Sequence, residues 1–585
     1  MDSFDALHQH FGFDAFRPGQ REAVDAAVAG RDVLVVMPTG AGKSLCYQLP
    51  ALMRRDLSIV VSPLVSLMQD QVQALAARAP GQVALINAQQ DLAANRDTLE
   101  RARLGELRLL YVSPERFSAP AFIEGITGVE IGLFVVDEAH CVSQWGHDFR
   151  PDYFRLADAA RWLGAKSILA STATATPQVA SDIVARLGLR EDCVRVATGF
   201  DRPNLTFAVA PAKTPAVKGR QLVSALREPG ATPAIVYSGT RAQTEQTAAR
   251  LSEELGCEVL AYHAGLPREA RARAQQRFMA GEVDVVVATN AFGMGVDKAD
   301  VRTVVHESVP ASLEAYYQEA GRAGRDGQPA RALLLAAGKD KGLHRFFIER
   351  AGFDDGDVAR VARALGAGPR YDVALADLPG EDDQIRAVIG ALARAGVIQP
   401  APAPVDRVRG RLLAPFDGRA AAICRTFASE AEKGRWRQYR AIWDYVDGER
   451  CRREAILRHF GDRAAPQTDP GVACCDVCDD VGMPSGALTG AVGEDVDGAI
   501  VRVVATAEPS VGRTRVVEIL RGGRSKALLK HAYDGLPGYG TFDHLSGDEV
   551  LERVDALVAA GRLQSTGGAY PKLKVVAGEQ GTLAA

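Results

Sequence analysis

Short, valine-rich runs alternating with longer helix-like stretches constrain the fold of this chain more than any other feature. Nine such runs lie between about residues 31 and 340, in two sets separated by FDRPN: first RDVLVVMP, LSIVVSP, LRLLYVSP, IGLFVVDE and AKSILAST, then PAIVYSGT, CEVLAYHA, VDVVVATN and VRTVVHES. Continuous apolar runs of this length are typical of buried strands in parallel sheets. The pattern predicts two successive α/β domains, whose ligands bind at the carboxyl ends of the strands.

Length, charge and the opening residues narrow the class of protein. The 585 residues suffice for about four domains, and 47% apolar residues provide for packed cores. The start MDSFDALHQHFGFD lacks the apolar segment of a secretory signal, and no apolar run approaches the roughly 18 residues of a membrane helix. We therefore expect a cytoplasmic protein with no membrane contact. The net charge of −4 excludes a uniformly basic coat for nucleic acid but allows local basic stripes.

A glycine-rich loop, PTGAGKS, follows the first of the predicted strands and precedes a predicted helix. Its candidate binding residues are Thr39, Gly40, Gly42, Lys43 and Ser44. Glycine backbone can approach a triphosphate closely, a lysine can bind the β- and γ-phosphates, and a serine hydroxyl can bind Mg²⁺. Met37 stands where the strict phosphate-loop pattern has its first glycine. The alternative to phosphate binding is a glycine turn with no ligand. The strand–loop–helix context favours phosphate binding.

Two acidic residues end another buried strand, in LFVVDEAH. Asp137 suits the coordination shell of Mg²⁺, and Glu138 suits orienting or deprotonating an attacking water. Two acids in such a position otherwise often form a solvated turn. Because PTGAGKS lies about 95 residues upstream in the same predicted domain, nucleotide hydrolysis is the stronger interpretation.

Three further clusters of functional residues also follow strands. Residues 171–174 (STAT) form a candidate hydroxyl relay in the first domain, and TNAFGMGVD and QEAGRAGR belong to the second. Arg322 and Arg325 can reach the γ-phosphate across the cleft as arginine fingers, which contribute about 10³–10⁵ in rate in other enzymes. A solvated helix face is the alternative for both arginines.

The motifs PTGAGKS, DEAH, STATAT, FGMGVD and QEAGRAGRDG, in this order and spacing, resemble those of superfamily 2 helicases. FGFDAFRPGQ and DEAHCVSQWGHDFRPDY narrow the resemblance to the RecQ family of ATP-dependent DNA helicases. The resemblance implies an α/β fold: two tandem RecA-like parallel-sheet motor domains, a helical zinc-binding segment and a winged-helix domain.

The resemblance also implies roles at the nucleotide. Gln20 would read the adenine edge, with Phe13 stacked on the base and Arg17 beside it, and an aromatic face can stack on adenine. Gly295 and Asp297 would line the ATP site from the second domain. A catalytic set would comprise Lys43, Asp137, Glu138, Gln318, Arg322 and Arg325.

The segment CVSQWGHDFR resembles the aromatic-rich loop that couples DNA binding to hydrolysis in this family. Its working residues would be Trp145, His147, Phe149 and Arg150. Aromatic and arginine side chains suit single strands, because stacking contributes about 1–3 kcal/mol per base whatever the sequence. Core packing of Trp145 and Phe149 is the alternative.

Four of the nine cysteines fall within 28 residues, and in a reducing compartment such clusters indicate metal rather than disulfides. The family's C…CxxCxxC pattern would place its first clustered cysteine at Val472. We predict instead a four-thiolate zinc site formed by Cys451, Cys474, Cys475 and Cys478. The alternatives are His459 in place of one of the adjacent pair, and free buried thiols. Adjacent cysteines are expected to bind one ion only with strained backbone between them.

Two segments near the end of the chain are locally basic. Residues 433–463 hold nine Lys and Arg against five Asp and Glu, and residues 513–530 hold six against one. Such excesses are the footprint of phosphate contacts, although runs of charge are more often solvated faces. Residues 498–576 resemble the family's winged-helix domain, and the expected DNA contacts are Arg521, Arg524, Lys526 and Tyr570.

We accordingly predict five units: motor domains 1–203 and 204–345, an inserted helical or winged module 346–429, a zinc segment 430–485 and a winged helix 495–577. Residues 350–430 have no counterpart in the simplest family layout, and we expect no additional helical domain after the winged helix. The expected function is ATP-dependent 3′ to 5′ DNA unwinding in repair and recombination, with ATP, Mg²⁺ and Zn²⁺ as cofactors. A translocase or remodeller that leaves strands paired, or a nucleotide-switched DNA-binding regulator, are the alternatives. We expect a nucleoid-associated monomer, with single-strand-binding or repair proteins as partners.

Overall fold

The computed structural model describes residues 2–576 apart from 64, 88–89, 144–152, 154–155, 213–214, 294–297, 367, 402, 404–405, 483–495, 524, 526–527, 529 and 568–570. Within this part of the chain, no helix has the length and apolar character needed to cross a membrane.

The first motor domain is a parallel sheet of seven strands in the order β3-β4-β2-β5-β6-β1-β7. Its strands are β1 Val33–Val36, β2 Leu57–Val61, β3 Val83–Ile86, β4 Leu109–Val112, β5 Ile131–Val136, β6 Ser167–Thr172 and β7 Val194–Ala197. Its helices are α1 Ser3–Phe11, α2 Gln20–Val28, α3 Leu45–Met53, α4 Val65–Ala76, α5 Leu92–Arg103, α6 Pro120–Ile126, α7 Leu156–Trp162 and α8 Pro177–Leu187. The central strands are buried on both faces, as their continuous apolar runs require.

The second motor domain is a parallel sheet of six strands in the order β10-β11-β9-β12-β13-β8. The strands are β8 Leu205–Pro211, β9 Ala234–Tyr237, β10 Val259–Tyr262, β11 Val285–Ala288, β12 Thr303–His306 and β13 Ala330–Ala336. The helices are α9 Pro215–Arg227, α10 Arg241–Leu255, α11 Arg268–Met279 and α12 Leu313–Ala320. The Ser312 side chain caps α12 by accepting the N–H of Ala315 at 3.1 Å.

All nine predicted strands are present, and the described part of the two motor domains contains four more that were missed. One of them, β7, is an edge strand in which only Val196 is buried, so the buried-strand pattern does not detect it. β3 and β8 also lie at sheet edges, although most of their residues are buried. The fourth, β13, reads ARALLLA. Alanine and leucine are the residues most favourable to helix, and burial between β12 and β8 overrides that preference.

A separate small module follows the second motor domain. It begins after α13 Gly338–Arg350 and contains α14 Asp355–Ala364, β14 Arg370–Ala374, α15 Asp382–Arg394, β15 Ile398–Ala401 and β16 Arg407–Leu412. The strands form an antiparallel sheet in the order β14-β16-β15. Tyr371, Val388, Leu392 and Val408 belong to its own apolar core. Helices followed by a two-stranded wing make this a winged-helix arrangement, and we call residues 355–417 the wing module.

A long helix, α16 Gly418–Asp447, joins the wing module to a compact stretch that carries the cysteine cluster. That stretch, residues 448–482, contains α17 Arg452–His459 and is called the cysteine segment below. It lies against the second motor domain: the N–H of Phe207 in β8 donates to Cys474 O at 3.3 Å, and the N–H of Asp476 donates to Phe207 O at 3.1 Å.

The last described unit contains α18 Val496–Thr506, α19 Arg513–Leu520, α20 Gly547–Ala559, β17 Leu563–Ser565 and β18 Leu573–Val575. The two strands are antiparallel, and the helices enclose a core that includes Ile500, Val516 and Val554. Helices α18, α19 and α20, with a terminal two-stranded hairpin, agree with the expected winged helix. The fold class predicted from the sequence is therefore confirmed.

Candidate ATP site and zinc centre

The phosphate-binding loop connects β1 to α3, as the sequence predicts. Gly40 and Gly42 have φ values of 86° and 81°, a conformation that favours glycine. Lys43 reaches back over the loop, and its Nζ donates to Pro38 O at 3.4 Å. Burial lowers the pKa of Lys43, while the nearby Glu138 and Asp137 carboxylates act in the opposite direction. The ammonium and both acids thus share one pocket.

The two acids lie at the carboxyl end of β5. Burial raises the pKa of Asp137 to about 7, with a further increase from the Glu138 charge and an opposing effect from Lys43. Glu138 has φ 49° and ψ 46°, a left-handed conformation that is uncommon for a residue other than glycine. Backbone of this kind is often retained where a side chain must be aimed at a reacting group.

A chain of close polar contacts leads from Glu138 to the end of β6. Its Oε2 lies 3.2 Å from His140 Nδ1, and the same nitrogen lies 2.9 Å from Thr172 Oγ1. The N–H of Thr174 donates to that hydroxyl at 3.3 Å. The STAT cluster therefore contacts the acidic pair through a histidine, and its role as a hydroxyl relay stays a prediction.

Gln20 lies under the phosphate-binding loop. Its Nε2 donates to Ala41 O at 3.2 Å and Gly42 O at 3.1 Å, and its Oε1 accepts the N–H of Arg17 at 2.8 Å. Arg17 Nη1 donates to Gly40 O at 2.6 Å. Here both side chains bind loop carbonyls, so reading an adenine edge would require Gln20 to exchange these bonds. Phe13 is 50% exposed and available for stacking on a base.

Arg322 and Arg325 lie in the turn that follows α12, which ends at Ala320, rather than on a helix face. Arg322 is only 4% exposed, so the alternative of a solvated face is wrong for it. The Cγ of Arg325 lies 3.6 Å from the ideal Cβ position of Gly40, across the cleft between the domains. Gln318 occupies the last turn of α12. The second domain thus presents this turn to the phosphate-binding loop.

Arg202, in the linker between the motor domains, connects the two sides of the cleft and was missed by the sequence analysis. Its Nη1 donates to Gly321 O at 3.0 Å and lies 3.5 Å from Thr39 O. Its Nη2 donates to Ala323 O at 2.9 Å and Gly324 O at 3.1 Å. The FDRPN sequence in which it stands indicates only a linker. Its partners are backbone carbonyls, which every residue has, so no residue pattern reveals them.

We expect Arg202→Lys to lower kcat for ATP hydrolysis about tenfold while leaving KM for ATP within about twofold. An ammonium cannot reproduce the fork that a guanidinium directs at several carbonyls, so the arginine turn would lose its position while the phosphate-binding loop remains intact. Steady-state kinetics with saturating single-stranded DNA measure both constants. The control is Arg195→Lys on exposed β7, and an unchanged kcat for the linker variant would contradict this role.

The four clustered cysteines are brought together as predicted. Their Sγ atoms all lie within 4.8 Å of one another, with 3.5 Å between Cys451 and Cys474 and 3.9 Å between Cys451 and Cys475. Tetrahedral zinc at about 2.3 Å from each sulfur places sulfurs about 3.8 Å apart, so the thiols fit the ion. Burial raises the pKa of Cys475, but backbone N–H groups directed at its sulfur, that of Arg452 first, lower it overall.

One alternative at this centre is wrong. His459 does not join the cysteines, because its Nε2 lies 2.9 Å from Glu314 Oε1. Strained backbone between Cys474 and Cys475 stays a prediction for the metal-bound site. Neither residue is left-handed, because among described residues other than glycine only Glu138 and Ala532 have positive φ.

The cysteine segment is fixed to the interdomain linker by a buried arginine. Arg453 is 1% exposed, and its guanidinium donates to Asp201 Oδ1 at 2.6 Å, Arg202 O at 2.6 Å and Leu205 O at 2.5 Å. Phe460 stacks on Phe200 with ring centroids 4.4 Å apart. The cysteine segment and the arginine turn of the ATP cleft therefore both contact one linker.

The excess of basic residues predicted to face DNA in 433–463 is smaller than the sequence suggests, because it includes Arg453 and its neighbour Arg452. Arg452 is paired with Asp476 at 3.0 Å and, like Arg453, is buried. These two charges are structural and do not contribute to a surface for DNA.

Several predicted residues lie outside the described part of the chain: Trp145, His147, Phe149, Arg150, Gly295, Asp297, Arg524, Lys526 and Tyr570. Of the predicted contacts in the C-terminal unit, Arg521 is described. It is exposed at the end of α19, where its Nε donates to Leu545 O at 2.8 Å.

Tandem parallel sheets, with a phosphate-binding loop and paired acids on one and an arginine turn on the other, define a two-domain ATP-driven motor. Family models agree with this class and make it specific. They match a DEAD/DEAH box helicase domain at residues 17–183, a helicase conserved C-terminal domain at 218–327, a RecQ zinc-binding domain at 419–479 and an RQC domain at 494–584.

The ATP-dependent DNA helicase RecQ of Bacillus subtilis (strain 168) is 32% identical over 575 residues, covering 97% of this chain and 81% of the relative. The probable ATP-dependent DNA helicase RecS of the same strain is 41% identical over 362 residues, covering 61% of this chain and 72% of the relative. The chain belongs to the RecQ family and is an ATP-dependent DNA helicase that binds zinc.

Among solved structures, the DNA-bound crystal structure of the DUF1998 helicase MrfA superposes with a TM-score of 0.50 at 19% identity. The match covers 72% of this chain and 60% of that one, and it supports the fold alone.

Proposed function

We propose that ATP and Mg²⁺ bind between the two motor domains and that closure of this cleft moves the chain from 3′ to 5′ along one DNA strand. The observation that carries the proposal is the approach of Arg325 to Gly40 across the cleft. A γ-phosphate on the loop would then lie between the lysine of one domain and the arginines of the other.

Each group in the cleft has a chemistry that suits this reaction. Lys43 binds the β- and γ-phosphates, while Ser44 and Asp137 would hold Mg²⁺, which neutralises phosphate charge. Glu138 orients the attacking water, and His140 and Thr172 hold its carboxylate in position. Arg322 and Arg325, with Gln318 beside them, stabilise charge that develops on the transferred phosphoryl group.

Cys451, Cys474, Cys475 and Cys478 are proposed as the zinc ligands. The separations between their sulfurs support this set, and His459 is occupied by Glu314. The ion would hold the cysteine segment against β8 and the linker. Zinc therefore has a structural role, and the thiolates leave no open position for catalysis.

The aromatic-rich loop at residues 144–150 and the C-terminal unit are proposed to contact DNA, the first through stacking and the second at the duplex ahead of the motor. The exposed Arg521 supports the second contact. We further propose that the helicase works as a monomer in DNA repair and recombination, together with single-strand-binding or repair proteins.

Glu138→Gln should bind ATP normally but hydrolyse it at least about 100-fold more slowly, because general-base contributions are typically 10²–10⁴-fold. DNA-stimulated phosphate release and binding of a fluorescent ATP analogue measure the two effects. The matched control is Glu130→Gln, since Glu130 precedes the same strand at its opposite end. Hydrolysis within threefold of the unmodified protein would refute the assigned role.

A further inference from the structure

The three-stranded sheet of the wing module has one buried and one solvent-facing side. Tyr371, Ile398 and Val408 point into the module's core. The opposite side, called the outer wing face, carries Arg370, Asp372, Gln399, Arg407, Arg409 and Arg411, which the register places across from one another. The wing module lies between the matched helicase and zinc-binding domains, which end at 327 and begin at 419.

Charge on the outer wing face is strongly unbalanced. Four arginines share it with one acid, Asp372, whose carboxylate accepts from Arg407 Nε at 2.8 Å and Arg409 Nε at 2.9 Å. Within the described residues, neither Arg370 nor Arg411 forms an ion pair, and both are exposed. The face therefore has a net charge of about +3, which attracts a polyanion.

The spacing of the arginines suits a regular array of anions. Arg407, Arg409 and Arg411 alternate with inward residues along β16. Successive members of this row are about 6.8 Å apart, since antiparallel strands rise about 3.4 Å per residue. Arg370 extends the row sideways, because it pairs with Arg411 in the register.

The residue types of the outer wing face favour duplex DNA over single-stranded DNA as the ligand. Single strands are typically bound on aromatic platforms on which the bases stack. Among its described residues, the outer wing face offers guanidinium, carboxylate, amide and methyl groups but no aromatic ring. It can contact phosphates but cannot stack on bases, which suits a duplex, whose bases are turned inward.

The helix that precedes the wing does not share this character. In helix-turn-helix and related modules such a helix commonly enters the major groove. Here α15 starts with exposed Glu381, Asp382 and Asp383, which would repel phosphates. Glu381 is also paired with Arg350 of α13. Contact with DNA must therefore use the sheet of the module rather than this helix.

We propose that the outer wing face binds the phosphate backbone of duplex DNA, providing the helicase with a duplex contact separate from its C-terminal unit. Binding would be electrostatic and independent of sequence, because arginines that reach only phosphates read no base edges.

The test compares full-length variants on a blunt DNA duplex of about three helical turns, without nucleotide, by fluorescence anisotropy over a range of salt concentrations. The triple variant Arg370→Gln, Arg409→Gln, Arg411→Gln should bind more weakly. Its slope of log K against log salt should be smaller by about 2 to 3, since each duplex phosphate contact contributes about 0.9. Binding to oligo-dT and ATP hydrolysis stimulated by oligo-dT should remain unchanged.

A second variant should change the affinity for duplex DNA in the opposite direction. Asp372→Asn removes the only acid of the outer wing face among its described residues and should strengthen duplex binding, whereas a variant that merely disturbs the fold would weaken it. The matched control is Arg363→Gln on exposed α14 of the same module, which should leave the slope unchanged. An unchanged slope in the triple variant, an equal loss in the control, or weaker binding by Asp372→Asn would overturn the proposal. Loss of ATP hydrolysis stimulated by oligo-dT in the triple variant would also overturn it, because the outer wing face would then act on the motor domains rather than on duplex alone.

Discussion

Lys43→Ala should lower DNA-stimulated ATP hydrolysis by at least about 100-fold and abolish unwinding of a forked duplex. Lys43 is the cation of the phosphate-binding loop itself, and its Nζ lies near Asp137 and Glu138. The arginines of the second motor domain cannot take its place, and water cannot supply a fixed positive charge there. Removing a single preorganised group that stabilises a transition state typically costs 10²–10³ in rate. Phosphate release and strand displacement measure the two activities.

Lys166→Ala is the matched control, since Lys166 is half exposed and its partner Glu130 lies on the surface. Its other partner, Asp56, is mostly buried but keeps an ion pair with Arg54. Surface pairs contribute little, so this variant should retain full activity. The Lys43 variant should still bind single-stranded DNA, which separates loss of catalysis from loss of fold. Unwinding at the normal rate by Lys43→Ala would refute the assignment of the cleft.

Loss of zinc should unfold the cysteine segment and reduce ATP hydrolysis. Cys475→Ser removes the most buried of the four thiols, which is 0% exposed. Zinc binding in small structural sites is worth about 10–16 kcal/mol, so the cysteine segment should unfold rather than relax. The expected results are a zinc content near zero, rapid proteolysis within residues 448–482, and reduced ATP hydrolysis because the linker loses Arg453.

The control is Cys257→Ser, an exposed cysteine far from the cluster in sequence, which should keep zinc, protease resistance and activity. Zinc release by a thiol-reactive reagent and limited proteolysis measure the outcome. A Cys475→Ser protein that retained stoichiometric zinc would refute the ligand set and reopen the choice of the fourth ligand.

The sequence predicted those parts of the site whose chemistry depends on side-chain type. Glycines, a lysine and paired acids at strand ends indicate nucleotide chemistry because few other arrangements use them, and four clustered cysteines indicate zinc for the same reason. The strands that carry these groups were also predictable, since β1 and β5 are continuous apolar runs buried on both faces and the apolar centre of β6 is equally buried.

Contacts made through backbone carbonyls were not predictable. Arg202 binds carbonyls of Gly321, Ala323 and Gly324, and Arg453 binds those of Arg202 and Leu205. Every residue has a carbonyl, so no pattern of residue types reveals such a partner. For the same reason a count of basic residues could not separate the buried Arg452 and Arg453 from charges that face solvent.

The pairing of Phe207 with the cysteine segment protects the second motor domain against aggregation. Strand β8 is the last strand of its sheet, and its outer edge is covered where Phe207 bonds to Cys474 and Asp476. An uncovered strand edge is a template for pairing with other chains. Demetallation would expose this edge, so chelator-treated protein should accumulate as aggregates built from the second motor domain.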